Sequence, residues 1–131
     1  MCAGMRVALV IDDDFATRRA IAQLLLTRGY GVCETVAPEP IPFMPSLDVI
    51  VTDVVTAPDL VSVRAWTRSL QERFGVPVVL VTGRSHIITA GAAALGVADI
   101  VPKPFDVDEL AERVALALAT FVADLPLLRW N

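Results

Sequence analysis

Lysine is nearly missing from this chain. Ten of its eleven basic residues are arginine, and Lys103 is the single lysine. Cysteine is sparse too. Cys2 and Cys33 make no disulfide framework, and both read as reduced thiols, which points to a cytoplasmic protein. The lone histidine, His86, falls at an expected helix start and reads as a surface residue rather than a ligand. No basic run exists, and a formal net charge of −4 argues against direct nucleic-acid binding. The longest apolar stretches, such as 76–81 and 92–97, are far too short to span a membrane. No secretory leader is visible, because the opening residues run straight into an apolar segment that ends in three aspartates. What is abundant is apolar: 55% of the 131 residues are hydrophobic and 20% charged, as in a single globular domain with a real core.

Apolar runs alternate with helical patterns. Residues 7–11, 32–36, 49–52, 78–81 and 98–101 read as five strands, short and apolar enough to be buried on both faces. Asp14 can cap a first helix with apolar positions at Ala20, Ile21, Leu24 and Leu25, ended by Gly29 and Gly31. Asp59 can cap another, with Val63, Trp66, Leu70 and Phe74 on one face and Gly75 as its stop. Ser85 or His86 opens a short Ala-rich helix that ends at Gly96. Asp106 with Glu109 resembles a capping box, and the last helix follows with Leu110, Val114, Ala117, Leu118 and Phe121 on one face. Strands alternating with helices imply an α/β, doubly wound parallel sheet. One unit is irregular. Residues 37–45 hold four prolines, which cannot sit in a helix interior, so the second helix is expected to be lost or shortened to a loop. The domain is expected to span 1–124, with 125–131 a short tail or the start of a linker.

Ligands of open parallel sheets gather at the carboxyl ends of the strands. Asp12, Asp13 and Asp14 follow the first strand, Asp53 the third, Thr82 the fourth and Lys103 the fifth. Each alone is weak, since an aspartate after a strand is often only a helix cap. Together, in this order, they form a constellation. Carboxylates roughly 4 Å apart repel by about 4 kcal/mol at an effective dielectric near 20, so such a site protonates a member or takes up a divalent cation. Hard oxygen donors select Mg²⁺, or Mn²⁺. Asp53 can then act as a nucleophile towards phosphorus. Lys103 would neutralise the phosphoryl group from the other side, as a compact point charge that arginine cannot replace. The Thr82 hydroxyl can donate to a phosphate oxygen. Lys103-Pro104 is a candidate cis peptide that would aim the ammonium inward.

The runs Val10-Ile11-Asp12-Asp13-Asp14, Val49-Ile50-Val51-Thr52-Asp53, Val78-Val79-Leu80-Val81-Thr82-Gly83 and Lys103-Pro104-Phe105 resemble the receiver domains of two-component response regulators, chemotaxis-type single-domain regulators among them. The resemblance covers roughly residues 5–123. It implies a flavodoxin-like sheet of order 2-1-3-4-5 and Asp53 as phosphoacceptor. It also implies direct Mg²⁺ ligation by Asp13, Asp53 and the backbone carbonyl of Val55, with Asp12 helping through water. A histidine kinase or a phosphotransfer protein would donate the phosphoryl group, and sometimes a small acyl phosphate. Phosphorylation would switch a surface for a downstream protein or effector domain, and a homodimer is compatible with this. Such a domain phosphorylates and dephosphorylates itself and is not a turnover enzyme.

The chain departs from the family pattern in four places. Position 57 is Ala and Pro58 comes one residue late, so the loop after Asp53 reads as one residue longer. The proline stretch replaces the second helix. Gly83 stands where alanine is common, a place where a larger residue would crowd a phosphate. The family's aromatic switch position falls on Ile100, which has a smaller body and no hydroxyl; the alternative is that Ile100 is only a core residue. Two rival readings follow from these residues. One is a pseudo-receiver that binds a protein constitutively. The other is a haloacid-dehalogenase-type phosphatase with Asp12 as nucleophile, which would need a further acidic pair after Lys103 and would leave Asp53 without a role.

Overall fold

The parity of apolar residues along each strand decides this architecture. A computed structural model describes residues 5–36, 46–54 and 59–129, with side chains to 121. Within it run β1 (Val7–Ile11), α1 (Phe15–Thr27), β2 (Gly31–Thr35), β3 (Val49–Thr52) and α2 (Leu60–Phe74). Then follow β4 (Val78–Thr82), α3 (Ser85–Ala90), α4 (Ala92–Leu95), β5 (Asp99–Pro102) and α5 (Val107–Arg129). The strands form one parallel sheet of order β2-β1-β3-β4-β5, as expected. Successive residues of a strand point to opposite faces. Ala8, Val10, Val49, Val51, Val79, Val81 and Val101 therefore meet Ile21, Leu24 and Leu25 of α1 and Leu110, Val114 and Leu118 of α5. Leu9, Ile11, Ile50, Val78, Leu80 and Ile100 meet Val63 and Leu70 of α2, Ile87 of α3 and Leu95 of α4. Both faces are covered, which is why the strands read as unbroken apolar runs rather than alternating ones.

The helix starts form as their sequences dictate. The Asp14 carboxylate accepts from the Thr17 amide at 2.9 Å, the Asp59 carboxylate from the Ser62 amide at 2.8 Å, and the Asp106 carboxylate from the Glu109 amide at 3.1 Å. Gly75 closes α2 in the left-handed region (φ 65°).

One detail differs from the sequence reading. The helix expected to run unbroken to Gly96 is two helices, divided at Gly91 (φ 88°, ψ 160°). Gly91 donates its N–H back to the Ile87 carbonyl and so ends α3, and α4 starts afresh. The backbone of α5 stays helical to Arg129, through residues read from sequence as a tail. No helix lies between β2 and β3 among the described residues; the proline-rich stretch 37–45 is outside them. Among the described residues, no helix is long and apolar enough to cross a membrane.

Candidate functional site

Parallel pairing brings the ends of β1, β3, β4 and β5 to one edge, and with them the polar residues that the sequence spreads over ninety positions. Asp12 follows β1 and is 1% exposed. Its backbone stays in the sheet through an N–H to the Thr35 carbonyl at 3.2 Å. One carboxylate oxygen accepts from the Asp14 amide at 2.9 Å, and the other from the Lys103 ammonium at 3.1 Å. Asp53 follows β3, held by its amide to the Ile11 carbonyl at 2.9 Å. One Asp53 oxygen accepts from the Val54 amide at 2.6 Å and the other from Lys103 Nζ at 3.0 Å. Lys103 thus bridges both acids. Its own backbone N–H pairs with the Thr82 carbonyl at 2.9 Å, and the Lys103-Pro104 peptide is cis, as expected.

Asp13 completes the group. Carboxylate oxygens of Asp12, Asp13 and Asp53 lie within 4.8 Å of one another, with Asp12 buried, Asp53 half-buried and Asp13 exposed. Burial pushes the Lys103 pKa down, but hydrogen bonds and charge from Asp53 and Asp12 outweigh it and hold the pKa above the ordinary lysine value. Asp14 lies outside the cluster and serves the helix. Hydrogen bonds from the Thr17 side chain and backbone hold its carboxyl below the usual range.

The donors are all hard oxygens, one of them exposed to water. They suit a divalent cation of the Mg²⁺ or Mn²⁺ kind: the single positive charge of Lys103 contacts two of the three carboxylates and leaves the group net negative. The residues therefore fit an acidic cation pocket.

The other expected site residues are placed less simply. Thr82 ends β4 and is fully buried, and its hydroxyl oxygen accepts from the Arg84 amide at 3.1 Å, so here it serves the turn into α3. Ile100 packs in the core on the α2–α4 face of the sheet. The Val55 carbonyl and the lengthened loop to Pro58 lie outside the described residues. A Cβ at Gly83 would meet the Lys103 Cβ at 3.8 Å, an ordinary contact that admits alanine.

One residue escaped the sequence reading. Arg18 on α1 donates from Nη1 to the Asp12 carbonyl oxygen at 3.0 Å and from Nε to the Glu34 carboxylate of β2 at 3.2 Å. The available signal was an arginine one turn after the Asp14 cap, within reach of the same strand end.

A doubly wound sheet of order 2-1-3-4-5, with acids and a lysine converging on its carboxyl edge, defines a flavodoxin-like α/β domain. The family model of the response regulator receiver domain matches residues 8–115, and the chain belongs to that family, the receivers of two-component systems. The DNA-binding transcriptional regulator NtrC of Rhizobium meliloti (strain 1021) is 35% identical over 115 residues, which are 85% of this chain and 24% of that protein. The chemotaxis protein CheY of Treponema pallidum (strain Nichols) is 28% identical over 118 residues, 84% of this chain and 81% of that one. A CheY-like receiver domain from Methanospirillum hungatei JF-1 superposes with a TM-score of 0.70 over 92% of this chain and 99% of its own, at 19% identity, and shares the fold. The chain spans about a quarter of the length of the NtrC regulator. The family match covers Asp12, Asp53, Thr82 and Lys103 together and leaves the haloacid-dehalogenase reading without support.

Proposed function

We propose that this receiver accepts a phosphoryl group on Asp53, in a reaction that depends on Mg²⁺ (or Mn²⁺). One observation carries the reading: the Lys103 ammonium lies 3.0 Å from Asp53 and 3.1 Å from Asp12, beside the Asp13 carboxylate. Asp12, Asp13 and Asp53 would hold the cation, with the Val55 carbonyl as a further ligand. When bound, it offsets negative charge on the phosphoryl oxygens. A phosphohistidine of a histidine kinase or phosphotransfer protein is the donor. An Asp53 carboxylate oxygen forms the O–P bond as the N–P bond breaks, and the imidazole leaves with the bonding electron pair. Lys103 exchanges one carboxylate contact for a phosphoryl oxygen. The Thr82 hydroxyl leaves the Arg84 amide and donates to another. That movement reshapes the surface seen by a downstream protein, and Ile100 couples to it through core packing alone, having no ring or hydroxyl to swing. The domain signals from the cytoplasm and sustains no turnover of its own.

Beryllofluoride with Mg²⁺ mimics an aspartyl phosphate. It should raise the melting temperature of the native chain and leave Asp53→Asn unchanged. No shift in the native chain, or an equal shift in the variant, refutes the assignment and favours the pseudo-receiver.

A further inference from the structure

We propose that Arg18 is a positioning residue for the cation pocket, acting as a strut between β2 and the turn that carries Asp12 and Asp13. The inference rests on the reading of those acids as cation ligands. The Arg18 side chain is only 12% exposed, unusual for a charged group on a surface helix. Its guanidinium is used in two directions at once. Nε is anchored on the Glu34 carboxylate at 3.2 Å, and Nη1 holds the Asp12 carbonyl oxygen at 3.0 Å. The Phe15 ring covers the group, with its centroid 5.3 Å from Cζ. The other Glu34 oxygen faces solvent-side Arg19.

The grip falls on the one carbonyl that matters. Asp12 is the last point at which β1 is still tied to β2, through its amide and the Thr35 carbonyl. Beyond it the chain must turn so that the Asp12 and Asp13 carboxylates face Asp53. Fixing the Asp12–Asp13 peptide plane sets the direction in which both side chains leave the backbone. Arg18 reaches the pocket at the Asp12 carbonyl oxygen, and so acts through the backbone. Only a planar fork can reach both partners together, which a lysine cannot do.

The two effects of this arginine on cation binding have opposite signs, and that makes the inference testable. As a nearby positive charge, Arg18 opposes a cation, so its removal should tighten binding. As a strut it organises the ligands, and loss of such outer partners weakens metal affinity by about 10-fold or more. We infer that the strut wins. Titrating the intact chain with Mg²⁺ in a calorimeter, Arg18→Met should weaken the Kd about 10-fold. Arg18→Lys, which keeps the charge, and Glu34→Gln, which leaves the anchor neutral and its hydrogen bond to Arg18 weaker, should both weaken it in the same direction. Arg19→Gln, which touches only the other oxygen of Glu34, should leave it near the parent value. Circular dichroism of each variant in chelator shows that it is folded at the temperature used. If Arg18→Met does not fold, Arg18→Lys and Glu34→Gln carry the test. Phosphorylation by a small acyl phosphate should slow at limiting Mg²⁺ and return to the parental rate at saturation. A Kd for the Arg18 variants equal to or tighter than that of the parent overturns the strut alone. A rate that stays low at saturating Mg²⁺ also overturns it, since Arg18 would then act on the phosphoryl group directly. A parent chain that binds no Mg²⁺ overturns the cation pocket and the strut together.

Discussion

Lys103 holds two carboxylates that would otherwise repel each other, one of them 1% exposed. Its side chain is itself only 24% exposed, so the bridge is partly screened from water. Removing one partner of a buried pair leaves an uncompensated charge, at a cost of about 3 kcal/mol or more when burial is complete. With this partial exposure, Lys103→Met should lose about 2 kcal/mol in metal-free buffer by urea denaturation. Saturating Mg²⁺ should return part of that loss, because a cation can do the same neutralising. A loss independent of Mg²⁺ would show that packing, not charge, is at stake. Lys103→Arg separates charge from shape: it should still accept the phosphoryl group yet show no phosphorylation-induced change in melting temperature or partner binding. Asp13→Asn bears on the third carboxylate, beside the two that the lysine bridges. In chelator it should melt about 3 °C above the parent, since like-charge repulsion is relieved. An unchanged or lower melting point would mean that the exposed carboxylate is already screened by solvent.

Lys103 was legible in composition because it is alone, and the acids because they follow apolar runs that can only be strands. Arg18 was not. Ten arginines look alike in a sequence, and this one is told apart by Glu34, sixteen residues away on a strand whose neighbour is fixed only by sheet order. Thr82 was placed at the right edge, but which group its hydroxyl faces depends on a turn geometry that no spacing encodes.

At the scale of elements, the break at Gly91 has a clear physical origin. An Ala-rich stretch with apolar spacing satisfies helix propensity, and one glycine inside it costs only about 1 kcal/mol, so the sequence reads as a single helix. Tertiary packing decides otherwise. Ile87 and Leu95 are both buried against the same side of the sheet, and each short helix carries one of these anchors. The Gly91 backbone, at φ 88° and ψ 160°, lies where L side chains rarely go. A Cβ there would meet no atom within 4 Å, so a substitution is opposed by the backbone alone. Gly91→Ala should therefore cost about 1–2 kcal/mol in chemical denaturation, with no loss of core packing. A neutral result, or a gain in helicity with higher stability, would show that the two helices fuse readily and that the break is not dictated by packing.

At the scale of the molecule, alkaline titration reads the fold as a whole. Tyr30 sits between α1 and β2, packed against the α1–α5 side of the core, and burial pushes its phenol above the ordinary tyrosine value, with Arg6 opposing the shift. Lys103 lies at the opposite end of the sheet, and its pKa is raised as well. A folded-state pKa above the unfolded one means that the native state holds its proton longer. The stability so gained is complete below the unfolded values, near pH 10 for both groups, and is lost as pH rises through the folded ones. The melting temperature should thus stay level from about pH 8 to 9.5 and fall above about 10. Tyr30→Phe removes one of the two titrating groups without touching the acid pocket. It should melt with the parent at pH 8 and show a shallower fall above pH 10. Parallel curves for the two proteins would mean that the phenol ionises in the folded chain as freely as in water. The contact between α1 and β2, which also carries Arg18 and Glu34 to Asp12, would then be looser than the packing around Tyr30 requires.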